Sequence, residues 1–423
     1  MNKLAKVAVA GAVAVVLGGT LSGSMFLRFV GVAAAADDKS EAKPQVSAAS
    51  GKDLQEAQKD MQAQKWDETL AVLDKVKANP KKTDYDEYVM NEFYLTAYAN
   101  KKQLKDAVGP LEAIIGSKYM PADEQKKRIG QAAVLFYQIQ NYDKAVEYGN
   151  RAIQGGDTSE QTQLVVAQSL YLKPDYKGTD QFVTDLVNSQ IKAGQAPADD
   201  MLQLGLSSAV KMNDAAGEQR WLEVLVAYHP KPEYWDNLLD TMYRTKLTDR
   251  QLLQVYRLSA DVGTMKKGSD YSEMAQLALD AGSPGEAVTI LNKGFSDNIF
   301  ADAAEKGRNQ HLLDSAKKQS AIDQPTLAKT EADAQNSPGG DKLVGAGIGY
   351  FGYGEYDKAS KDLAAGLAKG ATKDPANATL LLGISQLRSG DKAGAEKTFE
   401  SVKGDPILEH LAHLWDVHAK AAA

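Results

Sequence analysis

A chain of 423 residues, 43% hydrophobic and 25% charged, is neither a disordered polymer nor a protein embedded in lipid along its length. A formal charge of −7 argues against nucleic acid as partner, and the absence of cysteine excludes disulfide staples, thiolate metal sites and cysteine nucleophiles. Abundant Ala, only 13 Pro and few β-branched runs favour helix throughout, in a chain long enough for two or three domains or one elongated array.

The first 36 residues run from Lys3 and Lys6 through an uncharged stretch, Val7 to Leu27, to Arg28 and the small-residue exit Ala33 to Ala36. That order is a secretory leader, residues 1–36. A span of about 20 apolar residues could instead remain as a membrane anchor. The small residues Gly19, Thr20, Ser22, Gly23 and Ser24 weaken the span and the Ala run offers a cleavage site, so the reading is cleavage and no tight membrane insertion afterwards. Cleavage removes Lys3, Lys6 and Arg28 and no acid, which takes the net charge from −7 to −10. Residues 37–52, polar and carrying Pro44, read as a flexible tether.

From residue 53 a short pattern recurs: an aromatic or small residue, Asp or Lys, any residue, then Ala, before an apolar helix. It stands at Trp66–Thr69, Leu104–Ala107, Tyr142–Ala145, Pro284–Ala287, Tyr356–Ala359 and Lys392–Ala395, with weaker copies ending at Thr179 and Gly217. The closing positions are 38, 38, 34, 38, 70, 72 and 36 residues apart. Each doubled gap predicts one degenerate copy, near Leu252 and near Asp323, so that ten units of about 36 residues fill the chain. Twelve residues before the closing position sits a second small residue: Ala133, Gly205, Ala275, Gly347 and Gly383. Two antiparallel helices approach closely only where side chains are small. Ala107, Ala133, Ala145, Gly205, Ala275, Ala287, Gly347, Ala359, Gly383 and Ala395 are therefore the expected packing points of successive hairpins.

Along the chain, residues 53–296 read as the main array and 297–340 as a degenerate helical repeat ending in a hinge at Ser337-Pro338-Gly339-Gly340. Residues 341–423 read as further repeats followed by a capping helix, Pro406 to Ala419, with Ile407, Leu408, Leu411, Leu414 and Trp415 at helical spacing.

These units resemble the tetratricopeptide repeat family, most clearly in Asn141–Ile153, Tyr271–Gly294, Tyr350–Gly366 and Leu380–Val402. The resemblance implies an all-α, right-handed solenoid whose first helices line a groove that binds peptides or proteins. Leu54–Ala57, Trp66–Leu70, Tyr85–Tyr88, His229-Pro230, Tyr234-Trp235 and Asn292–Phe295 are also similar to exported repeat proteins accompanying TonB-type energy-transducing systems. That likeness implies a place beside an inner-membrane complex.

Chemistry-bearing motifs are few. Gly347-Ile-Gly349-Tyr-Phe-Gly352 satisfies a dinucleotide-binding string, but it follows a helical stripe where a strand is required, and close helix packing accounts for the glycines. His410 and His413 share a helix face and are the weak metal candidates; no second cluster completes a site, so no metal and no cofactor is expected. Lys75/Asn79 and Lys373/Asn377 have the spacing of the family's carboxylate clamp, yet both fall largely between helices. No nucleophile elbow, zincin helix or phosphate-loop lysine occurs, and no residue is a catalytic candidate. The expectation is a periplasmic adaptor, not an enzyme, that docks envelope proteins along residues 53–296. The alternatives are a membrane-tethered assembly factor and a metal or ligand carrier.

Overall fold

A computed structural model describes residues 44–370 and 372–421, and every regular element among them is helical. The expected leader, residues 1–36, lies outside the described residues, as do residues 37–43 of the expected tether.

The helices come in pairs. Among the described residues, α1 (Gly51–Gln62) pairs with α2 (Trp66–Ala78), α3 (Asp84–Asn100) with α4 (Leu104–Gly116), and α5 (Ala122–Gln138) with α6 (Tyr142–Gln154). Next come α7 (Glu160–Leu172), α8 (Tyr176–Lys192), α9 (Asp199–Met212), α10 (Ala215–Tyr228), α11 (Pro232–Tyr243) and α12 (Asp249–Asp261). The chain continues through α13 (Gly268–Asp280), α14 (Pro284–Ser296), α15 (Ala303–Asp323), a 3-10 turn, and α16 (Leu327–Gln335). It ends with α17 (Asp341–Gly352), α18 (Tyr356–Lys369), α19 (Pro375–Arg388), α20 (Lys392–Glu400) and α21 (Pro406–Ala421).

What makes the hairpins is a turn that the small-residue pattern does not reveal. Gln64, Lys102, Gln140, Asn213, Gly282, Gly354 and Gly390 each stand two residues before an even-numbered helix, and each has positive φ. One left-handed residue reverses the chain after the first helix. Asn141, Asp175 and Asp391, just before α6, α8 and α20, then accept the backbone N–H of the third helical residue and start the return helix.

The recurring closing position follows at the fourth residue of these return helices. Thr69, Ala107, Ala145, Thr179, Ala287, Ala359 and Ala395 have no exposed surface. The first-helix partners Ala133, Gly205, Ala275, Gly347 and Gly383 are buried too. A Cβ on Gly383 would stand 2.5 Å from Phe399 Cε1, and one on Gly347 would stand 2.8 Å from Leu363 Cγ. Each small residue therefore sets the distance at which its hairpin closes.

The chain divides into two compact units between Asp214 and Ala215, at the turn joining α9 to α10. This division falls inside the stretch 53–296 that the sequence suggests as one array. In the first unit, odd-numbered helices pack on one another in two groups, α1 on α3, and α5 on α7 with α7 on α9. Its start is also built into the fold. Ser47 donates through its N–H and its hydroxyl to the buried Asp86 carboxylate at 2.8 and 2.7 Å, and Asn79 donates to Ala49 O at 2.9 Å. Ser47 to Lys52 of the expected tether thus carry hydrogen bonds and the start of α1.

In the second unit the chain folds back on itself. Helix α14 packs on α17, and α21 packs on α10, α12, α19 and α20. The degenerate repeat, α15 and α16, lies between the two halves in sequence. The expected hinge, Ser337 to Gly340, is tied down: Gly340 N–H donates to Gly370 O at 2.9 Å, and Lys369 Nζ donates to Ser337 O at 3.1 Å. A Cβ on Gly340 would stand 1.9 Å from Gly366 O. Here glycine permits close backbone approach instead of supplying freedom.

Candidate functional site

In the first unit the odd-numbered helices carry a polar row. Glu92 on α3 is brought against Arg128 on α5 at 3.0 Å, and the other terminal nitrogen of Arg128 meets Gln131 Oε1 at 3.1 Å. Burial raises the carboxyl of Glu92 above its usual range, with Arg128 acting in the opposite sense. At one end of α3 lies a cavity of about 330 Å³, whose walls include Asp84, Tyr88, Asn91, Lys118 and Tyr119. Its aromatic side is a cluster in which Tyr85 meets Tyr119 edge-on at 5.1 Å, and Lys118 bonds Asp84 at 2.9 Å across the rim. Polar atoms and aromatic rings on one accessible wall are what a partner surface uses.

The second unit spends its inner face on itself. Arg257 on α12 is 2% exposed and holds Glu286 on α14 through Nε and Nη2 at 2.8 and 2.6 Å, its guanidinium over the Phe351 ring of α17. Burial drives the Glu286 carboxyl up, but the Arg257 charge and bonds outweigh it and hold the group below its ordinary value. Arg388 on α19 reaches Asp261 on α12 at 3.0 Å and lies over the rings of Phe351, Tyr356 and Trp415. His418 on α21 meets the same Asp261 at 2.9 Å and stands edge-on to Trp235. The burial of Asp261 is likewise outweighed, by His418 and Arg388, and its carboxyl lies below the usual range.

The histidines thus have an evident use. His410 Nε2 lies 2.8 Å from Glu223 Oε1 on α10, and His413 lies 3.8 Å from the other oxygen of the same carboxylate. Among the described residues no group of three or more His, Asp or Glu is arranged to hold a metal ion. His410 and His418 fasten the last helix, while His413 stays half exposed beside the Glu223 carboxylate.

The three glycines of the dinucleotide-like string each face a different neighbour. A Cβ on Gly347 would meet Leu363 of α18, one on Gly349 would meet Leu327 of α16 at 2.6 Å, and one on Gly352 would meet Ser283 Oγ at 2.3 Å. All three are sites of close packing within a helix.

A cleft of about 430 Å³ opens inside this unit where α12 faces α17 and α19. Leu253, Leu277, Val344, Ile348 and Leu381 give it an apolar lining, and Asp249, Arg250, Asp280, Asp341, Lys373 and Asp374 a charged one. Gln254 Nε2 donates to Asn377 Oδ1 at 2.7 Å, joining α12 to α19 through side-chain amides. Lys373 and Asn377, the pair with clamp spacing, both line this cleft, and Asn377 lies in the first turn of α19.

The ten expected packing residues are buried, and none lines either cavity. Arg257, Glu286, Arg388, Asp261 and Gln254 were not singled out in the sequence. Each pairs with a residue on another helix, and repeat spacing carries no trace of such pairs.

No family model matches the sequence, and no curated protein matches it significantly. Solved structures similar to it include yeast Tom70, at 12% identity over 88% of this chain and 96% of that one, with a TM-score of 0.24. The tetratricopeptide domain of P58(IPK) is similar at 14% identity over 81% and 99% of the two chains, with a TM-score of 0.21. The maize pentatricopeptide repeat protein PPR10 is similar at 11% identity over 89% and 62%, with a TM-score of 0.30. Superpositions this loose carry no argument. The repeats are established by the chain's own hairpins: the described residues are all-α and built from helix pairs that recur along the sequence.

Proposed function

We propose that the chain is a non-catalytic adaptor of the bacterial envelope that docks partner proteins on its first unit, residues 44–214. The observation that carries this reading is the packing of odd-numbered helices in that unit, with the Glu92–Arg128–Gln131 row and the tyrosine-lined cavity beside it. A stack of hairpins presents such a face over a long distance without needing a catalytic centre. The leader pattern of residues 1–36 supports export to the periplasm. The short motifs similar to exported repeat proteins of TonB-type systems favour an inner-membrane complex as the partner assembly.

A photoactivatable residue at Gln131, used in intact envelopes, is expected to capture a specific protein, whereas one at the exposed Lys105 on α4 captures none. The net negative charge favours a basic or neutral partner segment, so the association rate falls as salt rises. Equal capture from both positions overturns the assignment of the face. The same preparation addresses a membrane-tethered form: among the described residues no helix is long and apolar enough to cross a membrane, so tethering would have to come from an uncleaved leader. The mass of the exported chain distinguishes the two.

A further inference from the structure

The cleft lies inside the second unit, between α12, α17 and α19. Its lining has three chemically distinct parts. The first is the aliphatic floor, Leu253, Leu277, Val344, Ile348 and Leu381, wide enough for one branched side chain. The second is the Gln254–Asn377 amide pair. The bond between them uses the oxygen of Asn377 and not its NH2 group, and Gln254 Oε1 has no hydrogen-bond partner although the residue is only 1% exposed. A buried acceptor without a donor is costly, and two adjacent side-chain amides offer the donor and acceptor that a peptide group requires. The third part is charge. Arg250 is committed to Asp374 at 3.0 Å and Arg257 to Glu286; Asp341 accepts the Lys373 backbone N–H at 2.8 Å and Asp280 the Gln276 amide at 3.0 Å, both neutral donors, so the charges of Asp249, Asp280 and Asp341 face the single ammonium of Lys373.

We infer that this cleft is a second docking site, one for an extended peptide segment with an aliphatic side chain flanked by Lys or Arg. The aliphatic group rests on the leucine and isoleucine floor. The peptide group beside it bonds the Gln254–Asn377 amides, and the basic residue answers the surplus of carboxylates. The inference rests on the adaptor reading, and assigns a site and a chemistry to it that the first unit does not provide.

Gly345 makes the test clean. It lies on α17, it is exposed, it lines the cleft, and a Cβ there meets nothing within 4 Å. Gly345→Trp therefore fills the cleft from an unobstructed position and removes a helix-interior glycine at the same time. A displayed random heptapeptide library is selected on the immobilised full chain, and the recovered peptides are then titrated against wild type, Gly345→Trp and Asp249→Lys/Asp280→Lys. The expected result is recovery of sequences with an aliphatic residue next to Lys or Arg. Binding should be at least tenfold weaker to Gly345→Trp and several-fold weaker to the charge-reversed variant, with circular dichroism melts unchanged. Peptides without that pattern, peptides that bind Gly345→Trp as tightly as wild type, or no enrichment at all overturn the inference. Capture by the Gln131 probe in envelopes is read on the same Gly345→Trp chain: if it persists while peptide selection fails, only the cleft assignment falls; if it too is absent in wild type, the adaptor reading falls with it.

Discussion

The two units use the same hairpin for opposite ends. In the first, α1 packs on α3 and α5 on α7 on α9, and the polar row between these groups, Glu92, Arg128 and Gln131, is linked by single ion-pair and amide contacts. In the second, the corresponding interior is consumed by a doubly bonded Arg257–Glu286 pair, by Arg388 among three aromatic rings, and by the last helix, whose Trp415 has no exposed surface. A repeat array is therefore not uniform in what its inner face is for. Where large aromatic and charged residues converge from helices distant in sequence, the array closes on itself; the first unit is where we propose that another molecule docks.

The comparison breaks first at Arg257. Arg257→Met leaves Glu286 buried without its partner and is expected to cost about 3–5 kcal/mol, concentrated in the second unit. Hydrogen exchange should show lost protection in α12, α14 and α17 with that of α3 to α7 retained. Arg257→Met/Glu286→Leu should recover most of the loss, because it is the unpaired charge that destabilises. Loss of protection in both units alike would mean that they do not unfold separately.

Overpacking one hairpin in each unit sharpens the same point. Ala145→Leu in α6 and Gly383→Leu in α19 insert bulk at buried crossings, where a Cβ on Gly383 already lies 2.5 Å from Phe399. Each is expected to cost about 1–3 kcal/mol, and only within its own unit. An unchanged melt for both variants would show that the repeat register is misassigned.

A smaller effect in the second unit depends on pH. Asp362 on α18 has no exposed surface and neither of its carboxylate oxygens has a partner. Burial and then the nearby Glu331, opposed by Lys361, push its carboxyl up to about 6; Tyr350 bonds the same Glu331, and Lys358 lies over the Tyr350 ring. A carboxyl whose pKa rises on folding destabilises the fold above its folded value, and the penalty fades as pH falls toward its unfolded value. Asp362→Asn is expected to stabilise the second unit by about 1–2 kcal/mol at pH 8, an advantage that shrinks below pH 6. Asp261 and Glu286, held below their ordinary values, act in the opposite direction, and the stability they contribute is lost in acid below about pH 4. Chemical denaturation of both proteins from pH 4 to 8 checks the sign; a pH-independent difference would leave Asp362 out of the balance.

The smallest effect tests the turn. Gln140 has a φ of 63°, a conformation that glycine adopts without steric cost. Gln140→Gly should stabilise the α5–α6 hairpin by about 0.5 kcal/mol, the relief of strain being partly offset by a more flexible unfolded chain. A loss of stability in thermal melts would indicate that the glutamine side chain contributes more than its backbone costs.

Much of the hairpin architecture was legible because it is local. The spacing of Thr69, Ala107, Ala145, Ala287, Ala359 and Ala395 reports a contact between helices adjacent in sequence, and a contact of that kind repeats whenever the unit repeats. The left-handed turns were less legible, since Gln64, Lys102 and Gln140 stand where glycine would have announced them. Ser337 to Gly340 misled for the complementary reason: glycine marks close approach as well as freedom, and only the neighbouring backbone of Gly366 and Gly370 decides between the two.

By itself, then, the sequence determined helix content, the repeat and the residues at which each hairpin closes, because these depend on side-chain size and periodicity within some 40 residues. Tertiary structure alone decided the division at Asp214, the fastening of α21 by Glu223 and Asp261, and the cleft joined by Gln254 and Asn377. Gln254 and Asn377 are 123 residues apart and His410 and Glu223 are 187 apart. A pairing over such a distance leaves no period in a single sequence, and it exists only once the second unit has folded back on itself.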